Sequence, residues 1–211
     1  TRGYIEENPV HKVIAPKNSK KLPVFVEKEK MDKLLGVIEV DSDFNSVLSR
    51  FVVEILYSTG MRVAELIALK HKDIDMISMS LLVTGKRNKQ RIIPFGNHLQ
   101  DAISKFTLAK EKQFGQVQAN DFLITTLKGK KAYPKLIYNI VTQSLQTITT
   151  QKKKSPHVLR HTFATSMLNN GADLHAIKEL LGHSNLAATQ VYTHNTIDRI
   201  KHIYQQAHPK A

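Results

Sequence analysis

Apolar side chains recur along most of this chain at intervals of three and four residues, the spacing that places them on one face of a helix. The longest such pattern lies between Asp43 and Gly60 and comprises Phe44, Val47, Leu48, Phe51, Val52, Ile55 and Leu56. Asp is a preferred N-cap and Gly commonly ends helices, so the pattern predicts a buried helix between these two residues. Similar patterns predict helices over 27–39, 61–70, 97–114 and 134–149.

The last third of the chain carries start and stop signals for four more helices. Their predicted boundaries are Ser155-Pro156 to Asn170-Gly171, Asp173 to Gly182, Ser184 or Asn185 to Tyr192, and Thr196 onwards. The last helix is predicted to be amphipathic because Ile197, Ile200, Ile203 and Tyr204 share one face.

Two β-prone runs, 80–83 and 90–94, flank a polar tip that contains Gly85 and Asn88. This arrangement is typical of a hairpin. The predicted fold class is therefore mainly α with a small antiparallel β-sheet (α+β). Residues 1–22 are polar and interrupted by prolines, so we interpret them as a linker before a domain over 23–195, with 196–211 as a C-terminal helix and tail.

The charge balance adds a class of partner. The chain has 31 Lys and Arg against 18 Asp and Glu, a formal net charge of +13, which favours a polyanion such as nucleic acid. It has no cysteine, which excludes disulfides and thiolate metal sites. No apolar run is long enough to span a bilayer, and no signal peptide is recognisable. We therefore expect a cytoplasmic, nucleoid-associated protein.

His157 and Arg160 lie three residues apart near a predicted helix N-terminus, an arrangement that suits a phosphate oxygen. The alternative is purely structural, with His157 packed and Arg160 paired to a carboxylate. His157 and His161 also have the spacing of a helical zinc pair. Arg160 would place a cation beside the metal, and no acidic residue lies nearby, so no metal is predicted there.

Other basic residues allow more than one interpretation. Arg62 and Glu65 could bind a phosphate or merely join two helices. The hairpin tip carries Lys86, Arg87, Lys89 and Arg91, which fit phosphate contacts, solvated charge or a proton-donating lysine equally well. Tyr192, taken alone, fits an ordinary core aromatic residue.

Taken together, these segments resemble the tyrosine recombinase (phage integrase) family, particularly its bacterial Xer-like members. The resemblance rests on Thr59-Gly60-Met61-Arg62-Val63-Ala64-Glu65-Leu66, Gly85-Lys86, His157-x-x-Arg160-His161, Leu181-Gly182-His183 and Tyr192, in that order. It covers the chain from about Pro23 to the C-terminus. One departure is Arg87, where many relatives have glycine. Another is at the front, where residues 1–22 resemble only the trailing edge of the family's N-terminal DNA-binding domain.

The resemblance implies a role for each matching residue. Arg62 and Arg160 would hold the scissile phosphate, with Glu65 supporting Arg62. Lys86 would protonate the leaving 5′ oxygen, His157 would assist proton transfer, His183 would bind a phosphate oxygen and Tyr192 would be the nucleophile. Contacts to double-stranded DNA are expected from Arg87, Lys89, Arg91 and His161.

The implied reaction cleaves and rejoins DNA through a 3′-phosphotyrosine, with no cofactor, ATP or metal. A homo- or heterotetramer on paired DNA sites is expected, and the C-terminal helix would dock on a neighbouring subunit. The sequence also leaves three other interpretations open: a type IB topoisomerase, a DNA-binding protein without catalysis, and a metal-dependent nuclease.

Overall fold

The computed structural model describes residues 25–36, 43–150, 153–182 and 194–211, and helices form most of these residues. The helices of these residues are α1 (Lys28–Gly36), α2 (Phe44–Thr59), α3 (Val63–Ala68), α4 (Asn97–Phe114), α5 (Pro134–Gln146), α6 (Pro156–Asn169), α7 (Leu174–Leu181) and α8 (His194–Ala207). The strands are β1 (Ile74–Asp75), β2 (Ser80–Thr84) and β3 (Gln90–Pro94). The predicted fold class is confirmed.

Helix α2 is the centre of the core, packed against α4, α5 and α6. Its predicted caps are present: the Asp43 carboxylate accepts a hydrogen bond from the Ser46 N–H at 2.9 Å, and the Gly60 N–H donates to the Leu56 carbonyl at 3.0 Å. Gly60 has φ of +59°, and a β-carbon there would lie 2.6 Å from Cδ1 of Phe163. Both features require glycine at the end of this helix.

The sheet contains three antiparallel strands in the order β1-β2-β3. The predicted hairpin is correct, with Leu81 opposite Ile93 and Thr84 opposite Gln90. Strand β1 was not predicted because two residues are too few to show an alternating pattern.

Helix α3 starts later than the helix predicted over 61–70, because Arg62 is extended (φ −80°, ψ 153°) and is the N-cap of α3.

Helix α8 packs on the core of its own chain, with contacts to α6, α7 and β3. Its inward face carries Ile200, Tyr204 and Ala207, and the Tyr204 hydroxyl donates to the Ser58 carbonyl at 3.0 Å. Of the apolar stripe that the sequence assigns to a neighbouring subunit, Ile200 and Tyr204 are thus buried within this chain, whereas Ile197 and Ile203 are half-buried. None of the described helices has both the length and the apolar character needed to cross a bilayer. The predicted linker over 1–22 and the short helix ending at Tyr192 lie outside the described residues.

Candidate active site

Three arginines from three parts of the fold meet at the C-terminal end of α7. Three successive carbonyls each accept a hydrogen bond from a different one: Leu180 from Arg91 at 2.7 Å, Leu181 from Arg160 at 2.7 Å, and Gly182 from Arg62 at 3.3 Å. The last carbonyls of a helix lack intrahelical partners and carry the negative end of the helix dipole, so they attract cations. We call these residues the arginine cluster: Arg62, Arg91 and Arg160.

Arg160 joins the ends of two helices. Besides the Leu181 carbonyl, its guanidinium donates to the Gly60 carbonyl at the end of α2, at 2.6 Å. Burial and the neighbouring charge of Arg62 lower the pKa of Arg160 to about 10, so it remains a cation at neutral pH. Both of these hydrogen bonds of Arg160 go to backbone carbonyls at helix ends.

Glu65 contacts Arg62, as their spacing predicts. Its carboxylate accepts from the Arg62 backbone N–H at 2.8 Å and from the Arg62 guanidinium at 2.9 Å. The Arg62 side chain nevertheless remains 42% exposed. The carboxylate thus orients the guanidinium while leaving part of it accessible to a ligand.

Arg91 is not an exposed residue of the hairpin tip, and this corrects the prediction that it contacts DNA. It is 5% exposed, and its two terminal nitrogens donate to the two carboxylate oxygens of Glu65 at 2.9 and 2.8 Å. Burial alone would raise the pKa of Glu65, but the hydrogen bonds and charge of Arg91, with the bonds from Arg62, outweigh it and lower this pKa to about 2. Glu65 is therefore ionised at neutral pH.

The register of the hairpin explains why Arg91 is buried. Arg91 lies opposite Val83 in the β2–β3 pair and shares the inward face of β3 with Ile93. The period-two alternation of the strand was thus the available signal that Arg91 points inward. The sequence-based interpretation missed it because it grouped Arg91 with the other basic residues of the tip by proximity along the chain.

The rest of the tip is exposed. Lys86 and Lys89 are both exposed, and the turn is closed by a bond from the Gly85 N–H to the Lys89 carbonyl at 2.7 Å. A β-carbon at Gly85 would lie 3.3 Å from a carboxylate oxygen of Glu65, so the base of the tip lies against the arginine cluster. The side chain of Arg87 lies outside the described residues.

The two histidines of α6 lie in different surroundings. His157 is exposed in the first turn of the helix, whereas His161 is half-buried with Nε2 3.5 Å from the Thr165 hydroxyl oxygen. In the part of the chain that the structure describes, no group of three His, Cys, Asp or Glu side chains is placed to hold a metal ion. His183 and Tyr192 lie outside the described residues, although His183 directly follows Gly182 in the sequence.

Known proteins are similar to this chain over nearly its whole length. The family model described as "Phage integrase family" matches residues 24–199. A protein named tyrosine recombinase XerC from Chlorobaculum parvum is 37% identical over 228 residues, covering 99% of this chain and 68% of that protein. A protein of the same name from Bacillus pumilus is 38% identical over 210 residues, covering 98% and 68%.

Two solved structures are also similar to this chain. The crystal structure of XerA recombinase is 28% identical with a TM-score of 0.67, and the match covers 94% of this chain and 68% of that one. The pre-cleavage complex of the XerH site-specific recombinase with its difH substrate is 26% identical with a TM-score of 0.67, and the match covers 92% and 53%.

Proposed function

The chain belongs to the phage integrase family, and we propose that Arg62 and Arg160 bind a scissile DNA phosphate while Tyr192 attacks it. Its family and its XerC relatives identify it as a site-specific recombinase, an enzyme of DNA recombination. The assignment of individual residues is the part that we propose. It transfers the roles implied by the sequence motifs onto the geometry described above.

The observation that carries the proposal is the meeting of Arg62 and Arg160 on neighbouring carbonyls, Leu181 and Gly182. Of the three guanidinium groups, two bind the carboxylate of Glu65 and the third, that of Arg160, binds backbone carbonyls, so the arginine cluster keeps a net positive charge. A phosphodiester supplies one negative charge, and more charge develops on its oxygens in the transition state. Planar guanidinium groups match such oxygens through paired hydrogen bonds.

In the proposed reaction, the phenol oxygen of Tyr192 forms a bond to phosphorus as the bond to the 5′ oxygen breaks. Unperturbed tyrosine has a pKa near 10, so a tyrosine nucleophile must lose its proton during attack, and His157 assists this transfer. Lys86 donates a proton to the departing 5′ oxygen. His183 donates a hydrogen bond to a phosphate oxygen, beside Arg62 and Arg160.

The products would be a 3′-phosphotyrosine and a free 5′ hydroxyl. A second 5′ hydroxyl then reverses the reaction on a new strand, because the phosphoester linkage is conserved. No ATP is needed for this exchange. The reaction transfers a strand rather than hydrolysing it.

DNA is the partner that these findings support, since XerH is described in complex with its difH substrate. We further propose that the chain acts as a homo- or heterotetramer on paired sites, in the cytoplasm and at the nucleoid. Docking of α8 on a neighbouring subunit remains part of this proposal, because packing within one chain and exchange between chains would use the same apolar face. The expected role of residues 1–22, as the edge of an N-terminal DNA-binding domain, remains a prediction.

The decisive experiment traps the covalent intermediate on a DNA suicide substrate, nicked beside the scissile phosphate so that religation cannot occur. The wild-type chain should form an adduct, and Tyr192→Phe should form none while still binding the DNA. Tyr204→Phe is the matched control, because Tyr204 is buried and bonded to Ser58, and this variant should still form the adduct. An adduct with Tyr192→Phe would reject the proposed nucleophile.

A further inference from the structure

We propose that Arg91 is a positioning residue of this active site, which holds Arg62 in place through Glu65 without touching the DNA. The inference rests on the proposed function, because it concerns the phosphate-binding role of Arg62. It gives a role to Arg91, a buried residue that is not among those proposed to bind the scissile phosphate.

The first support is the chain of contacts. Both terminal nitrogens of Arg91 bind the carboxylate of Glu65, and the same carboxylate binds the backbone and guanidinium of Arg62. A carboxylate held from both sides has one orientation, so Arg91 fixes the direction in which Glu65 aligns Arg62. Partners of this kind beyond the ligand-binding residues commonly change activity by about 10- to 100-fold when they are replaced.

The second support is that Arg91 has no surface left for a phosphate. Its Nε donates to the Leu180 carbonyl at 2.7 Å, and its other nitrogens face Glu65. Of the two arginines that bind the Glu65 carboxylate, Arg62 is exposed and Arg91 is buried. Arg91 thus holds the carboxylate, and Arg62 remains accessible to the ligand.

The third support is how closely two backbone segments approach Arg91. A β-carbon at Gly182 would lie 3.0 Å from Nη1 of Arg91, and one at Gly85 would lie 3.8 Å from the same atom. Gly85 precedes Lys86, and Gly182 precedes His183. The Arg91 guanidinium therefore lies between the two segments that carry proposed catalytic residues, and its planar fork spans them in a way that a lysine ammonium would not.

A mere structural ion pair would also be buried, so the test needs a readout that stability does not change. We would measure single-turnover cleavage by wild type and Arg91→Lys on two suicide substrates, one with the natural phosphodiester and one with an uncharged methylphosphonate at the scissile position. The uncharged group has less need of Arg62. Arg91→Lys should lose about 10- to 100-fold on the phosphodiester. It should lose less than about threefold on the methylphosphonate, because Arg62 contributes little to the binding of an uncharged group.

Further variants complete the design. Arg50→Lys alters another arginine–carboxylate pair, Arg50 with Glu54 in α2, and should cleave both substrates like wild type. The double variant Arg62→Lys/Arg91→Lys should be no slower on the phosphodiester than Arg62→Lys alone, since coupled residues are not additive. Thermal melting of every variant identifies any that has not folded. If Arg91→Lys has not folded, Glu65→Asp, which shortens the side chain of the shared carboxylate, serves as the second test. It should also lose more activity on the phosphodiester than on the methylphosphonate.

Equal losses on both substrates, or multiplying losses in the double variant, would overturn the inference and leave Arg91 a structural residue. That result is distinct from failure of the proposed function. If Tyr192→Phe still forms the adduct, the proposed function fails whatever Arg91 does. If only wild type and not Tyr192→Phe forms it, the substrate comparison decides on Arg91 alone.

Discussion

Acidification from pH 7 to pH 5 should weaken the attachment of the C-terminal tail through a single residue, His208. This imidazole is 5% exposed and stacks on Tyr204, with ring centroids 4.8 Å apart and planes 5° from parallel. Nε2 donates to the Tyr57 carbonyl at 3.4 Å, and Nδ1 accepts from the Lys210 N–H at 3.0 Å. A second ring proton would occupy Nδ1, which could then no longer accept the hydrogen bond from the Lys210 N–H. The neutral form is therefore the one that fits.

The size of the effect follows from the pKa. Burial, reinforced by the charge of Lys210 and opposed by the Tyr57 carbonyl, lowers the pKa of His208 to about 3 from its ordinary value of 6.5. The stabilisation is complete above pH 6.5 and is lost as the pH falls below it, because only the unfolded chain then takes up the proton. At about 1.4 kcal/mol per pH unit, the loss between pH 7 and pH 5 is about 2 kcal/mol.

The assay is urea-induced unfolding of wild type and His208→Gln at both pH values. Glutamine retains a donor for the Tyr57 carbonyl and does not titrate. Wild type should lose about 2 kcal/mol more than the variant on acidification. His71, whose pKa is lowered to about 4 by burial and by Lys110, contributes to both proteins and cancels in the comparison. Equal losses in the two proteins would refute the reasoning.

Three other changes test separate parts of the structure. Gly60→Ala should lower the free energy of unfolding by about 2–4 kcal/mol, because of its positive φ and the contact with Phe163, whereas Gly36→Ala, which meets nothing within 4 Å, serves as the control. Equal melting temperatures for these two variants would contradict this. Tyr204→Phe should reduce stability by about 1–3 kcal/mol, because the Ser58 carbonyl loses its buried donor; unchanged urea midpoints would count against that bond. Lys86→Ala should slow cleavage about 10²- to 10⁴-fold, with most of the loss restored by a 5′-thio leaving group, which needs no acid. An equal defect on both leaving groups would remove Lys86 from the acid role.

Local signals in the sequence predicted most of the fold. Asp43 and Gly60 mark the ends of α2 because capping depends on residues that are neighbours along the chain. Gly182 marks the end of α7 for the same reason. The two-residue strand β1 was missed, since its pairing with β2 depends on a partner rather than on its own pattern.

The site was predictable as a set of residues but not as a geometry. The sequence motifs selected Arg62 and Arg160, but spacing cannot show that their guanidinium groups meet at the end of α7. The contact between Arg91 and Glu65 joins residues 26 positions apart, so it depends on how the hairpin packs against α3. The alternation of inward and outward residues along β3 predicts only that Arg91 faces inward. That its partner is Glu65 is known only from the tertiary structure.

Side chains from the start of α3, from β3 and from α6 all bind the last carbonyls of α7, and this convergence also bears on how the chain opens. Separating α7 from this point would break one hydrogen bond of each of three guanidinium groups at once, and the loss would be shared by all the elements that carry them. Amide hydrogens on both sides of the junction should then exchange with solvent as one cooperative unit. The recombinase would in this way keep the arginines that we propose to bind phosphate assembled between encounters with DNA.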